Sequence, residues 1–180
     1  MKYSVLTTSI SNNFKHYKIF IHSINIQNPL PQELVFVNDG IKFEKIKDYL
    51  ASLLNKKIKL VYHKNKINLG ITKSLNLGIK KVNTKLIFRL DIDDEWLFNH
   101  SRVMLKEYKQ DNNYLIYSNS SIGYIRGLAD QNLLIDNPTI HSSWVINLHK
   151  KYNFKYLNYN PEDYATLSYY FQKNFRFKLV

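Results

Sequence analysis

Between Tyr3 and Leu90 short apolar, β-branched runs alternate with stretches of helical periodicity, and this alternation narrows the possible folds more than any other feature of the chain. Tyr3 to Thr8 reads as a strand, after which Phe14, Tyr17, Phe20 or Ile21, and Ile24 recur at helical spacing until Asn28-Pro29 stops them. Glu33 to Val37 predicts a second strand that ends in the turn sequence Asn38-Asp39-Gly40, and Ile46, Tyr49, Leu50 and Leu53 mark the next helix. Lys59 to Tyr62 predicts a third strand. Asn68-Leu69-Gly70 then opens a helix with Ile71, Leu75 and Ile79 on one face, which feeds a fourth strand, Lys85 to Leu90. Strands that alternate with helices assemble as βαβ units. The expectation is an α/β fold with a mostly parallel central sheet flanked by helices on both faces.

The fourth strand delivers Asp91-Ile92-Asp93-Asp94 directly after an apolar run. In open α/β sheets ligands bind beyond the carboxyl ends of strands. Carboxylates crowded there repel one another unless a divalent cation or a hydrogen-bonded substrate lies between them. A metal-plus-polyphosphate site is the sharp reading of this cluster, and a solvated acidic turn is the plain one. Past Asp94 the pattern changes to a helix from Ser101 to Gln110, a strand from Tyr114 to Ser118, and a glycine-containing stretch from Ser121 to Asp136 suited to shaping a pocket. An apolar segment, Ser142 to Leu148, precedes the aromatic run Tyr152 to Tyr159. Pro161-Glu162-Asp163 caps a helix carrying Tyr164, Leu167 and Phe171, and Phe175 to Val180 reads as a last strand. With 180 residues, 44% of them apolar, and no repeat or linker, one domain spanning 1–180 is expected.

Twenty-six Lys and Arg against fourteen Asp and Glu give a formal charge of +12, which favours polyanionic partners such as nucleic acid, anionic lipid or phosphorylated substrates. Lysine- and asparagine-rich segments such as Asn55-Lys56-Lys57 also read as plain solvated surface. A nucleic-acid-binding protein would leave the strand-end aspartates unexplained, so no nucleic acid is expected. The absence of cysteine excludes disulfides, thiolate catalysis and sulfur-ligated zinc, and the six histidines lack spacing of the H-E-x-x-H kind. Neither a spanning apolar run nor a charged-then-apolar leader is visible, which predicts a cytoplasmic protein.

Taken in order, several segments are similar to those of the family 2 glycosyltransferases, nucleotide-sugar-dependent inverting enzymes of the GT-A fold. Ser4-Val5-Leu6-Thr7-Thr8-Ser9 resembles the family's opening strand and Val37-Asn38-Asp39-Gly40 its V-D-D-G turn. Asn68-Leu69-Gly70 and Asn76-Leu77-Gly78 resemble its N-x-G pair, and Leu90-Asp91-Ile92-Asp93-Asp94 its L-D-x-D-D metal motif. His141-Ser142-Ser143 is similar to an H-x-S segment, and Glu162-Asp163-Tyr164 to the E-D-Y motif of the catalytic base. The departures are Asn38 for the first aspartate of the V-D-D-G turn, Ile10 where many members carry a base-stacking tyrosine, and Thr8 for a frequent proline.

The resemblance implies roles. Thr8 and Asp39 would line the nucleotide base, Asp39 accepting from a uracil-type imide N–H, and Lys73 would lie near the donor diphosphate. Asp93 would approach the ribose and Asp94 would hold Mn²⁺ or Mg²⁺ across the two phosphates, with Asp91 beside them. Asp163 would be the general base, supported by Glu162, and His141 would stand near the leaving phosphates. For each there is a plainer alternative: Asn-Asp-Gly is an ordinary turn, Lys73 a solvated helix lysine, Pro-Glu-Asp a helix start favoured by the macrodipole, and His141 a structural histidine. On this reading residues 1–94 form the nucleotide-sugar-binding half and 95–180 the acceptor and catalytic half. The enzyme would move a hexosyl or N-acetylhexosaminyl group from a UDP-sugar to a saccharide or lipid-linked saccharide, such as a growing lipopolysaccharide or capsule. The basic surface and the tyrosines Tyr152, Tyr156 and Tyr159 suit peripheral contact at the inner face of the cytoplasmic membrane. A non-catalytic or truncated relative is the alternative.

Overall fold

The computed structural model describes residues 1–111, 115–117, 141–148, 154–159, 162–172 and 177–179. Seven strands form one sheet: β1 (Tyr3–Ser9), β2 (Glu33–Asn38), β3 (Lys59–Lys64), β4 (Leu86–Arg89), β5 (Leu115–Tyr117), β6 (Val145–Asn147) and β7 (Phe177–Leu179). Their order is β3-β2-β1-β4-β6-β5-β7. β1 pairs in parallel with β2 and β4, and β2 with β3, whereas β6 runs antiparallel to both of its neighbours. The mostly parallel sheet is the one that the alternation predicts. β3 outlasts its apolar run, because the ladder to β2 continues through Val37 beside His63 and Asn38 beside Lys64. Pairing with a neighbour decides the strand end there, not composition.

Five helices cover the sheet: α1 (Phe14–Asn25), α2 (Ile46–Leu53), α3 (Ile71–Ile79), α4 (His100–Asp111) and α5 (Glu162–Gln172). Strand alternation sorts them to two faces. Tyr3, Val5, Leu34, Phe36, Leu86 and Phe88 point into a core built with α1, α2 and α4. Their chain neighbours Leu6, Val35 and Ile87 point the other way, into a core with Leu75 of α3, Leu167 and Tyr170 of α5, and Trp144. Strands buried on both faces read as continuous apolar runs, which is why they stood out in the sequence. α1 begins where the Asn13 side chain accepts the Lys15 N–H at 3.1 Å, a standard way to satisfy a free amide of the first turn.

The face of α3 differs from the expectation. Ile71 is 40% exposed, and the buried stripe consists of Thr72, Ser74, Leu75 and Gly78. The helix lies so close to β1 and β2 that small residues share the contact with Leu75, while Ile79 is half-buried against the same core. A Cβ on Gly78 would fall 2.4 Å from Leu6 Cδ1 and 3.2 Å from Val37 Cγ2. On its other side α3 holds the segment 154–157. The Asn76 amide accepts the Tyr156 N–H at 2.8 Å and donates to the Tyr156 carbonyl at 2.9 Å. The same segment reaches α5, since Leu157 N–H donates to Thr166 Oγ1 at 3.0 Å and Lys155 N–H to Tyr170 Oη at 2.8 Å.

Among the described residues no helix is long and apolar enough to cross a membrane. Tyr156, read from sequence as a surface tyrosine, is 2% exposed and stacks on Trp144, so it belongs to the core; Tyr159 is exposed, and Tyr152 lies outside the described residues. The stretch Ser121 to Asp136 also lies outside them. Overpacking the α3 contact should be costly. Gly78→Ala is expected to destabilise the protein by about 1–3 kcal/mol in urea unfolding, the usual cost of forcing a methyl group into a filled core.

Candidate functional site

The chain leaves β1, steps outward to β2 and β3, and returns to β4 on the opposite side of β1. Loops therefore diverge at the carboxyl ends of β1 and β4, and the crevice so formed is where α/β sheets bind ligands. Thr8 stands at the end of β1, Asp39 follows β2, and Asp91 to Asp94 follow β4. The ladders place them at one level, with Ser9 beside Asn38 and Leu6 beside Arg89.

On the β2 side, Asp39 is 2% exposed and its Oδ1 accepts from the Leu69 N–H at 2.8 Å and from Asn65 Nδ2 at 2.8 Å. Asn65 Nδ2 also donates to Ser74 Oγ at 2.9 Å. Gly40 makes the turn possible: its φ is +90°, and a Cβ there would lie 2.6 Å from the Asn68 nitrogen. Asn38 faces the other way. It donates to the Tyr62 hydroxyl at 2.7 Å and accepts the Ile41 N–H at 2.6 Å, so this departure from the usual aspartate clamps the turn from beneath. Thr8 Oγ1 and Asn65 Oδ1 are buried without a hydrogen-bond partner. Buried polar atoms are normally satisfied, so hydrogen-bonding capacity is left over at this edge. Ile10 is 64% exposed at the mouth, and Lys73 faces solvent from the first turn of α3.

On the β4 side the organising group is Arg89, whose side chain is fully buried. Its Nη1 donates to the Leu6 carbonyl at 3.1 Å and to the Leu90 carbonyl, and its Nη2 pairs with Asp91 Oδ1. The other Asp91 oxygen accepts from Ser142 Oγ at 3.0 Å. Asp93 and Asp94 face solvent next to this pair. Partial burial pushes the Asp94 carboxyl above its ordinary value; the negative charges of Asp91 and Asp93 add to this, while the Ser142 hydroxyl and Arg89 oppose it.

A divalent cation would relieve that crowding, and carboxylate oxygens suit a hard ion such as Mn²⁺ or Mg²⁺. Among the described residues no three His, Cys, Asp or Glu side chains converge into a cage. One or two carboxylates completed by substrate phosphates and water is a usual magnesium arrangement, so the donor set fits such an ion.

His141 opens a 3-10 turn, His141–Ser143, that leads into β6 beside β4, and Glu162 and Asp163 form the first turn of α5. The side chains of these three residues lie outside the described residues. Arg89, Asn65 and Ser142 carry much of the described geometry, yet sequence reasoning gave none of them a role. Arg89 did leave a signal, a lone charge inside the apolar run Leu86–Leu90 next to acids.

Solved structures share this fold. A Staphylococcus aureus TarS 1–349 structure in complex with UDP superposes with a TM-score of 0.76 at 16% identity, covering 100% of this chain and 58% of that one. TarS 1–349 in complex with UDP-GlcNAc gives a TM-score of 0.75 at 16% identity, with 100% and 56% covered. The mannosyltransferase PcManGT from Pyrobaculum calidifontis, in complex with GDP-Man and Mn²⁺, gives 0.77 at 13% identity, with 99% and 54% covered. The chain thus spans just over half the length of each of these, and the common fold is the GT-A fold. No curated protein sequence matches it. The chain belongs to glycosyl transferase family 2, whose sequence model matches residues 12–176.

One half-buried group next to the acidic loop makes a pH test possible. His100 stacks on Trp96 with ring centroids 4.7 Å apart, its Nε2 is buried without a partner, and burial pushes its pKa down to about 4. The unfolded chain binds the proton near pH 6.5 and the folded one only near pH 4, so stability should fall as pH drops through that window. His100→Phe is expected to flatten this part of the pH–stability profile in chemical denaturation.

Proposed function

We propose that the protein transfers a sugar, with inversion, from a nucleoside diphosphate donor to a hydroxyl of a growing surface glycan such as lipopolysaccharide or capsule. The carrying observation is the placement of Asp39 and Thr8 on one side of the strand-order reversal and of Asp93 and Asp94 on the other, in a family 2 chain. Residues 1–94 would bind the donor and 95–180 the acceptor. A UDP-sugar is the proposed donor, carrying a hexosyl or N-acetylhexosaminyl group. Asp39, with one oxygen held by Asn65 and Leu69, would offer the other to an imide N–H, a task for an acceptor-only group. Asp93 would meet the ribose, and Lys73 the diphosphate. Asp94 would hold Mn²⁺ or Mg²⁺, whose chemistry is to neutralise charge on the departing nucleoside diphosphate.

Asp163 would take the proton of the attacking hydroxyl, with Glu162 orienting it and His141 near the leaving phosphates. Its place in the first turn of α5, on the second core of the sheet and remote in sequence from Asp94, supports a base that works from the acceptor side. The basic surface suits a phosphorylated or lipid-linked acceptor met at the inner face of the membrane.

Calorimetric titration of UDP, GDP, CDP and dTDP with and without Mn²⁺ tests the donor site. One nucleotide should bind in a Mn²⁺-dependent manner, and Asp94→Asn should abolish that dependence; absence of binding to all four would sink the proposal. Because burial and neighbouring carboxylates penalise ionised Asp94, Asp94→Asn should also leave the metal-free melting temperature at neutral pH unchanged or higher. Asp163→Asn should keep nucleotide affinity and lower turnover by about 10²- to 10⁴-fold, the usual worth of a positioned general base. Wild-type turnover in that variant would remove Asp163 from the mechanism.

A further inference from the structure

The acidic loop is clasped at both ends by one residue. The Asp91 N–H donates to Ser142 Oγ at 2.9 Å, and that hydroxyl donates to Asp91 Oδ2 at 3.0 Å. At the far end of the loop the Trp96 indole N–H donates to the Ser142 carbonyl at 2.8 Å. Ser142 is 5% exposed and directly precedes Ser143 and Trp144, which lead into β6 beside β4. Between the two pinned ends, Asp93, Asp94 and Glu95 face solvent.

Four carboxylates within five residues repel one another, and a loop free to respond would spread them. A hydroxyl suits the opposing task, because it can accept from an amide and donate to a carboxylate at once. Arg89 occupies the remaining oxygen of Asp91. Both Asp91 oxygens are therefore engaged within the protein, which makes Asp91 part of the clasp, while Asp93 and Asp94 face solvent, Asp94 with the same Ser142 hydroxyl beside it. Groups that orient metal-binding carboxylates are commonly worth about 10- to 100-fold in metal affinity, since a loop ordered beforehand need not be ordered on binding.

We propose that Ser142 is a positioning residue that holds the loop from Asp91 to Trp96 in the form that accepts a divalent cation together with the donor diphosphate. This rests on the metal-dependent donor reading given above.

Ser142→Ala tests it on the whole protein. In the metal-free state, amide hydrogen exchange across 91–96 should be about tenfold faster, since local opening then breaks fewer bonds. In calorimetry with UDP and GDP, the affinity measured with Mn²⁺ should weaken by about 10- to 100-fold, while the affinity without metal stays the same. Trp96→Phe removes the indole N–H together with part of a ring system packed on Phe88 and His100, and should give the same metal-selective loss on top of any general loss of stability; it reads the clasp even if Ser142→Ala does not fold. Equal losses with and without Mn²⁺ would mark Ser142 as a residue of the fold alone and overturn the proposal. Wild-type Mn²⁺-dependent affinity in both variants would do the same. If the wild-type protein binds nucleotide indifferently to Mn²⁺, the metal-dependent reading falls and takes this proposal with it.

Discussion

A guanidinium with no access to water needs acceptors, and at Arg89 those met by its two terminal nitrogens shape the end of the sheet, although Nε is buried without a partner. The charge is balanced by Asp91, and two backbone carbonyls, Leu6 on β1 and Leu90 just past β4, are drawn toward the same nitrogen. Breaking one member of a buried pair leaves the other uncompensated, which is far more costly than the pair itself is favourable. Strands β1 and β4 are thus joined just where their hydrogen-bonded ladder stops. The acidic loop starts from a fixed point, and one of its three aspartates is neutralised before any ligand arrives.

The fold was legible because the physics behind it is local. Strands buried on both faces are mostly apolar, so the runs at Tyr3, Glu33 and Lys85 announced themselves, and the helices between them showed their period. Legibility ended where contact distance mattered more than hydropathy. Leu75 and Ile79 pack inward as their spacing suggests, but a helix this near the sheet also buries Thr72, Ser74 and Gly78, and Ile71 is turned outward. Pattern reading ranks residues by oiliness, and close packing ranks them by size.

The site was legible in part for the same reason. Asp39, Asp93 and Asp94 are recognisable as carboxylates at strand ends, and the structure gathers those ends at one crevice. The groups that hold them are not recognisable in this way. Asn65 fixes an Asp39 oxygen from 26 residues away and Ser142 reaches Asp91 from 51 residues away, and no spacing rule links such pairs. Spacing picks out carboxylates at strand ends, and only the tertiary structure names the groups that hold them.

The two-way bond between Asn76 and the backbone of Tyr156 has a mechanical meaning. A side-chain amide there does what a neighbouring strand would do, satisfying both an N–H and a carbonyl of a segment that lies outside the sheet. That segment is in turn tied to α5 through Thr166 and Tyr170. α3 carries Lys73 at one end and this linkage further along, so a tilt of α3 would be passed through 154–157 to the helix that begins with Glu162 and Asp163. The middle of the chain is thus tied to α5 through 154–157, and the side chain of a single asparagine makes the first link.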